Sequence, residues 1–422
     1  MKLFLSFKSW LDQEELLLKK LRYAKLFFPP DYLNQLKTMN LKTAPIFLVF
    51  MVMGVADAMG PLSEAVKTQY ALSNFMATFL SFFVFIAFAL FSVPGGLLAN
   101  RIGLKSLLLL GLFLNALAML IPTLSDPGYA VLLLCIFVLG IGTTLLQVAG
   151  NPIMREVSPE GAYSRNLSFA QGIKGLGSSV SAYLVTGIGI LPLFGALGWR
   201  SAFPLFFALM AVAFIWVASL KVRESKPEVP PSLISSFSLL KEPVFALAVL
   251  GIFLYVGAEV CMARFLFPGL QLIGLDEASA SRFGPALFFL LLTVGRIGGG
   301  FMLSKISPVL AFRLSAATGM LGALILTLGN ASFAVFGVVL CGLGFANIWP
   351  LLFSITVEKQ PDRANELSGL MCMAISGGAL VPLLMGLLLD HNLGTLAFVV
   401  PVFCFLYLTI LSSRSTSQPA VN

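Results

Sequence analysis

Three ionisable residues fall deep inside otherwise apolar stretches: Asp57, Lys174 and Glu259. A charge at a bilayer centre costs about 2.5–3.5 kcal/mol on insertion scales, so each needs a partner, a cavity or a task. A carboxylate stripped of water holds a proton more tightly, which makes Asp57 and Glu259 candidates for proton loading and release. An ammonium attracts carboxylates and phosphates. Lys174 therefore either pairs with Asp57, where substrate or a proton would compete for the pair, or receives an anionic ligand; a static ion pair is the plainer alternative. On a helix, Asp57 and Lys174 lie at about 20 Å and 17 Å from one face of the bilayer, near mid-depth in both cases.

Amides follow at helical spacing. Gln147 and Asn151 are four residues apart, and Gln171 precedes Lys174 by three. Paired amides both donate and accept, as hydroxyls do, so Gln147 and Gln171 suit a polyhydroxy ligand. Interhelical bonding is their structural alternative. Asn151 precedes Pro152, which frees a backbone carbonyl, so a structural duty is expected there. Asn347 and Trp349 can offer a hydrogen bond and an apolar face to a ring, although packing also accounts for a buried tryptophan. For Arg296 the expectation is contact with backbone ends or an acidic residue.

Helices in a membrane must position these groups. Of 422 residues, 58% are hydrophobic and 11% are charged. A soluble protein averages about 25% charged residues, and disorder needs low hydrophobicity, so both classes are excluded. The net charge of +8 comes from basic residues scattered between apolar runs, which argues against a nucleic-acid partner. Cys135, Cys261, Cys341, Cys372 and Cys404 each sit in an apolar run, against a disulfide framework. The single histidine, His391, excludes an imidazole metal site and a histidine-based dyad. No cofactor motif, nucleophile–base pair or metal-ligand cluster is visible, so an enzyme is not expected.

Twelve apolar spans are expected, at about 44–66, 74–99, 103–124, 129–155, 163–190, 199–219, 243–267, 280–304, 308–328, 331–357, 364–388 and 394–412. A polar linker over 220–242 divides them into halves at 44–219 and 243–412. Residues 1–43 form either an interfacial amphipathic helix or a cytoplasmic tail, and 413–422 form a second tail. Lysine and arginine divide 21 against 3 between the two sides, with three more inside spans. Basic loops stay inside, so both termini are expected in the cytoplasm of an inner-membrane protein.

The halves repeat in parallel. Pro152, Glu160 and Arg165 recur 198 residues later as Pro350, Glu358 and Arg363. The stretch from Gly96 to Gly103 echoes the stretch from Gly300 to Ser307. Gly96-x3-Asn100-Arg101-x-Gly103-x-Lys105 resembles the loop between spans two and three of major facilitator proteins, with Asn100 in place of the usual aspartate. Gln147–Pro152, Phe253–Val260 and Gly295-Arg296 resemble the fucose/galactose/glucose:proton symporter family. The resemblance implies an all-α fold of twelve membrane helices in two pseudo-symmetric six-helix halves. It also implies structural or gating duties for Asn100, Arg101, Arg165, Arg296 and Arg363. In a fucose-carrying member an aspartate late in span one and a glutamate in span four are tied to proton coupling and sugar binding. Here Pro61 and Gln147 stand at those positions, and Lys174 replaces an asparagine of span five.

The leading expectation is a monomeric secondary transporter of a sugar or sugar-like solute, working by alternating access and coupled to a proton. Gln147, Gln171, Lys174, Asn151, Asn347 and Trp349 are its expected substrate ligands. The alternative is a transporter, importing or exporting, of an anionic or amphipathic molecule held by Lys174; a non-transporting sensor is the third.

Overall fold

In hydrocarbon every backbone N–H and C=O must be paired within the chain, which leaves helices as the economical solution for apolar runs of this kind. The computed structural model describes residues 43–72, 74–187, 200–221, 231–390 and 394–415. His391, residues 1–42 and residues 416–422, on which expectations were placed, lie outside the described residues.

The first span is α1 (Ala44–Met53), a single 3-10 turn (Gly54–Ala58) and α2 (Met59–Gln69). It is not the unbroken helix expected over 44–66. Pro61 lacks the N–H that would bond the Asp57 carbonyl, and Gly54 sits where a side chain has no room. Then follow α3 (Asn74–Ile102), α4 (Leu104–Leu124), α5 (Tyr129–Val157), α6 (Tyr163–Gly187) and α7 (Ala202–Ser219). The linker carries a short helix, α8 (Leu233–Ser238), and a 3-10 turn (Leu239–Lys241).

The second half begins with α9 (Pro243–Leu272). Next come α10 (Glu277–Ser281), a π turn (Arg282–Ala286) and α11 (Leu287–Met302), which together make one span. They are followed by α12 (Pro308–Thr327), α13 (Ala331–Ala346), α14 (Ile348–Val357), α15 (Ala364–Met373), α16 (Gly377–Asp390) and α17 (Val399–Arg414). Among the described residues ten helical stretches are long and apolar enough to cross a membrane. The broken first span and the polar α6 account for the other two expected spans.

Glycines record the repeat. A Cβ on Gly177 of α6 would stand 2.1 Å from the Met51 carbonyl oxygen, and one on Gly377 of α16 would stand 2.1 Å from that of Phe253. Span five thus abuts span one as span eleven abuts span seven. Likewise Gly142 meets the Gly111 backbone, and Gly344 meets that of Gly319. Close backbone approach through small residues is the usual device where lipid offers no hydrophobic drive.

The two halves meet toward the end of the helices that carries the basic loops. The Asn365 amide donates to Asn100 Oδ1 at 2.7 Å. The Ser164 and Ser354 hydroxyls lie 2.8 Å apart. Phe169 and Phe301 stack edge to face, with centroids 4.8 Å apart. In the interior of the second half, Phe345 is wedged among Tyr255, Phe288 and Phe405, at 5.7, 5.3 and 4.6 Å.

Candidate functional site

Proline sets the site's local geometry. A proline frees the carbonyl four residues before it. Pro152 frees that of Val148, and the Ser368 hydroxyl of α15 donates to this oxygen at 2.8 Å. Helix α5 runs on unbroken. Pro350, its repeat partner, frees that of Ala346, and here the helix parts: α13 ends at Ala346 and α14 begins at Ile348. The single span expected over 331–357 is thus interrupted at Asn347. Arg296 Nε donates to the Ala346 carbonyl at 3.1 Å, and the Tyr255 hydroxyl to that of Phe345 at 3.1 Å.

Arg296 joins these groups. Its Nη2 donates to Tyr255 Oη at 3.2 Å and approaches Glu259 Oε1 at 3.4 Å. The latter is long for a charge-assisted bond. The side chains of Arg296 and Glu259 are 9% and 21% exposed. Asn347 completes the arrangement: its Nδ2 donates to the Gly295 carbonyl at 2.9 Å. A Cβ on Gly299 would lie 2.2 Å from that amide, so glycine is what admits the asparagine. Trp349 is buried and stacks on Phe353, with centroids 5.0 Å apart and planes at 21°.

The first half is bonded less completely. Gln147, Asn151 and Gln171 are buried. Asn151 Nδ2 donates to the Gln147 carbonyl at 2.7 Å and approaches Cys372 Sγ of the other half at 3.8 Å. Yet Gln147 Oε1, Asn151 Oδ1 and Gln171 Nε2 have no hydrogen-bond partner, and neither does Asn347 Oδ1. Such a group, buried and unpaired, costs about 1–3 kcal/mol. Three of these atoms are acceptors and one is a donor, and each is of a kind that a ligand hydroxyl can satisfy.

Helix α6 packs on α11 through Gly172 and Gly175, the residues that follow Gln171 and Lys174. Cβ atoms on Gly172 and Gly175 would lie 2.7 Å from Ile297 Cγ1 and 2.7 Å from Thr293 Oγ1. The Gly54–Ala58 turn packs on the same helix, since a Cβ on Gly54 would stand 2.6 Å from the Lys174 carbonyl oxygen. The backbone of Asp57 therefore lies in a turn that abuts α6 at Lys174; its side chain lies outside the described residues. Lys174 is half-buried.

Asn100, Arg165 and Arg363 are at the basic end. Arg165 Nε donates to Asn166 Oδ1 at 3.4 Å. Arg363 donates to Glu366 Oε2 at 2.9 Å and to the Ser235 carbonyl at 2.7 Å, tying α15 to the linker helix. Glu366 is only 4% exposed. Arg101, beside Asn100, is exposed.

Sequence reasoning passed over Tyr255, Ser368 and Glu366. The carbonyl four residues before Pro152 was the available signal for Ser368, because it needs a donor; the carbonyl that Tyr255 bonds is five residues before Pro350 and carried no such signal. Nothing in the sequence pointed to Glu366.

The chain matches the Major Facilitator Superfamily over residues 46–382. It is 31% identical to a glucose/galactose transporter of Brucella abortus, over 90% of this chain and 96% of that one. It is 23% identical to the L-fucose-proton symporter of Escherichia coli, covering 89% and 92%. In fold it is similar to a major facilitator superfamily transporter, FucP, in the outward conformation. That match has a TM-score of 0.78 at 20% identity and covers 90% of this chain and 99% of that one. These are membrane transporters rather than enzymes, and their helical architecture is that described above. The chain belongs to the major facilitator superfamily, alongside the glucose/galactose and fucose transporters.

Proposed function

We propose that this protein imports a sugar or sugar-like solute across the cytoplasmic membrane by alternating access, coupled to a proton. The observation that carries the reading is the group of buried amide atoms without partners: Gln147 Oε1, Asn151 Oδ1 and Gln171 Nε2 in the first half, and Asn347 Oδ1 in the second. Sugar hydroxyls both donate and accept, so one ring can satisfy atoms of both kinds. The glucose/galactose transporter and the L-fucose-proton symporter to which the chain is similar support the same class.

In this reading the halves are 44–219 and 243–412, joined by the 220–242 linker, and the protein works as a monomer. Both termini and the basic end face the cytoplasm. The contacts at that end then close the inner side, and a solute enters from outside. Glu259 is the proton-binding candidate in the second half and Asp57 the one in the first. With Glu259 charged, Arg296 is held between it and the Ala346 carbonyl; a proton on Glu259 weakens that hold. Lys174 lies beside Gln171 and sets the tolerance for charge on the solute.

Uptake into proteoliposomes tests the proposal, using labelled glucose, galactose and fucose beside an amino sugar and a sugar acid, with and without an inward-acid pH gradient. Gradient-stimulated uptake of a neutral hexose is expected. Uptake confined to the sugar acid and lost in Lys174→Met would replace the neutral-sugar reading with the anionic one. No uptake of any member, with no thermal shift, would reject the sugar class.

A further inference from the structure

The linker helix α8 is two-faced. Ser235 and Ser236 point inward. The Ser236 hydroxyl donates to Glu366 Oε1 at 3.3 Å, and Ser235 accepts from Arg363 through both its carbonyl and its hydroxyl, at 2.7 and 3.0 Å. On the other side Leu233, Ile234 and Phe237 are 50%, 84% and 43% exposed. A groove of about 320 Å³ is lined by these three residues with Ser238 and Lys241.

Three large apolar side chains on two turns need a cover, because burial of each is worth about 1.5–3 kcal/mol. The place in the chain says what that cover is. Pro243, the first residue of the membrane-spanning α9, follows Ser238 by five residues, through a 3-10 turn. At about 1.5–2 Å per helical residue, the groove lies within about 10 Å of the end of a membrane helix. A groove that close to a membrane helix is within reach of the headgroup layer, where amphipathic helices lie. The exposed Lys241 stands at the edge of the groove, where a lysine ammonium binds phosphate as a point charge.

We propose that α8 is a phospholipid docking surface, with acyl chains against Leu233, Ile234 and Phe237 and a lipid phosphate on Lys241. The helix also packs against α3 of the first half as well as α15 of the second. Lipid bound here therefore presses a strap across the junction where Asn100 meets Asn365. This inference is independent of the transported solute.

The native cysteines are all buried, so a thiol placed at Ile234 can be labelled selectively. An environment-sensitive bimane on Ile234→Cys, in the full-length protein in liposomes, is to be quenched with phosphatidylcholine brominated near the carbonyl end of its chains. Phe403→Cys on α17 serves as the lipid-facing control and Glu277→Cys as the aqueous one. Quenching at Ile234 at least half that at Phe403 is expected, with Phe237→Cys giving the same result. Quenching equal to that at Glu277 at both positions would overturn the proposal. With Lys241→Glu, quenching at Ile234 is expected to fall at least twofold; an unchanged value would remove the phosphate contact from the proposal.

Discussion

Spans four and ten are repeats of one another, yet they handle the same proline differently. In α5 the carbonyl freed by Pro152 is taken by Ser368, from the opposite half, and the helix continues. At Pro350 the helix breaks: Arg296 takes the freed Ala346 carbonyl, and Tyr255 bonds the neighbouring Phe345 carbonyl, both from the same half. The difference separates two jobs. A bond made across the halves is lost whenever the halves part at that end, so it belongs to one conformational state. A network confined to one half travels with that half and holds its shape in every state. Among the described residues the unpaired buried amide atoms are those of Asn115, Gln147, Asn151 and Gln171 in the first half and of Asn347 and Gln360 in the second.

The largest effect is expected where the span-ten network is cut. Arg296→Met leaves the Ala346 carbonyl and the Glu259 carboxylate without their donor. Breaking a buried pair costs about 3–5 kcal/mol; because Glu259 is partly exposed, about 2–4 kcal/mol is expected in denaturant unfolding. A loss below about 0.5 kcal/mol would mean that the break does not depend on Arg296.

Gly299→Ala comes next. The added methyl meets the Asn347 amide, and overpacking of this kind costs about 1–3 kcal/mol. Gly298 is the matched control, because a Cβ there meets nothing within 4 Å, and its alanine variant is expected to be neutral or slightly stabilising. Equal melting temperatures for the two variants would contradict the packing seen at the break.

Ser368→Ala should differ in kind. A net loss of about 0.5–1.5 kcal/mol is expected for one hydrogen bond, felt only in the state closed at the basic end. Thiol accessibility of a cysteine introduced at Ser164 should therefore rise in Ser368→Ala and stay at its starting value in Gly299→Ala. A rise in both, or in neither, would erase the distinction between the spans.

The smallest effect concerns Glu358, which caps α14 at the end that carries the basic loops. Burial raises its carboxyl above the usual range, opposed by the nearby Arg155 charge. The folded state therefore binds the proton more tightly than the unfolded state. Its favourable contribution is complete below the ordinary glutamate range and is lost as pH rises through the raised value. Glu358→Gln should flatten the melting profile over that window and leave the more acidic limb unchanged. An identical profile would show that the burial has no consequence.

The sequence carried the all-helical membrane architecture and the 198-residue repeat, because these follow from apolar length and local motifs. It did not carry the break at Asn347. Pro152 and Pro350 look alike in the chain, and what separates them is the donor that another helix brings to the freed carbonyl. Arg296 was expected to meet backbone ends or an acidic residue, and it touches both; that the acid is Glu259, 37 residues away on another helix, is set by packing alone. Gln147 and Gln171 stood out by residue type. That their amides lack partners is a property of the surroundings.

Replacing Gln171 by leucine, which keeps much of its volume and removes an unpaired donor, tests the central claim most directly. Deleting a buried polar group that bonds nothing is neutral or stabilising to the empty protein, whereas deleting a substrate ligand abolishes transport. Gln171→Leu should therefore melt at or above the wild-type temperature without sugar, and lose gradient-driven hexose uptake and the sugar-induced thermal shift. Retained uptake, or a clear loss of stability in the empty protein, would show that this amide is structural and that the site lies elsewhere.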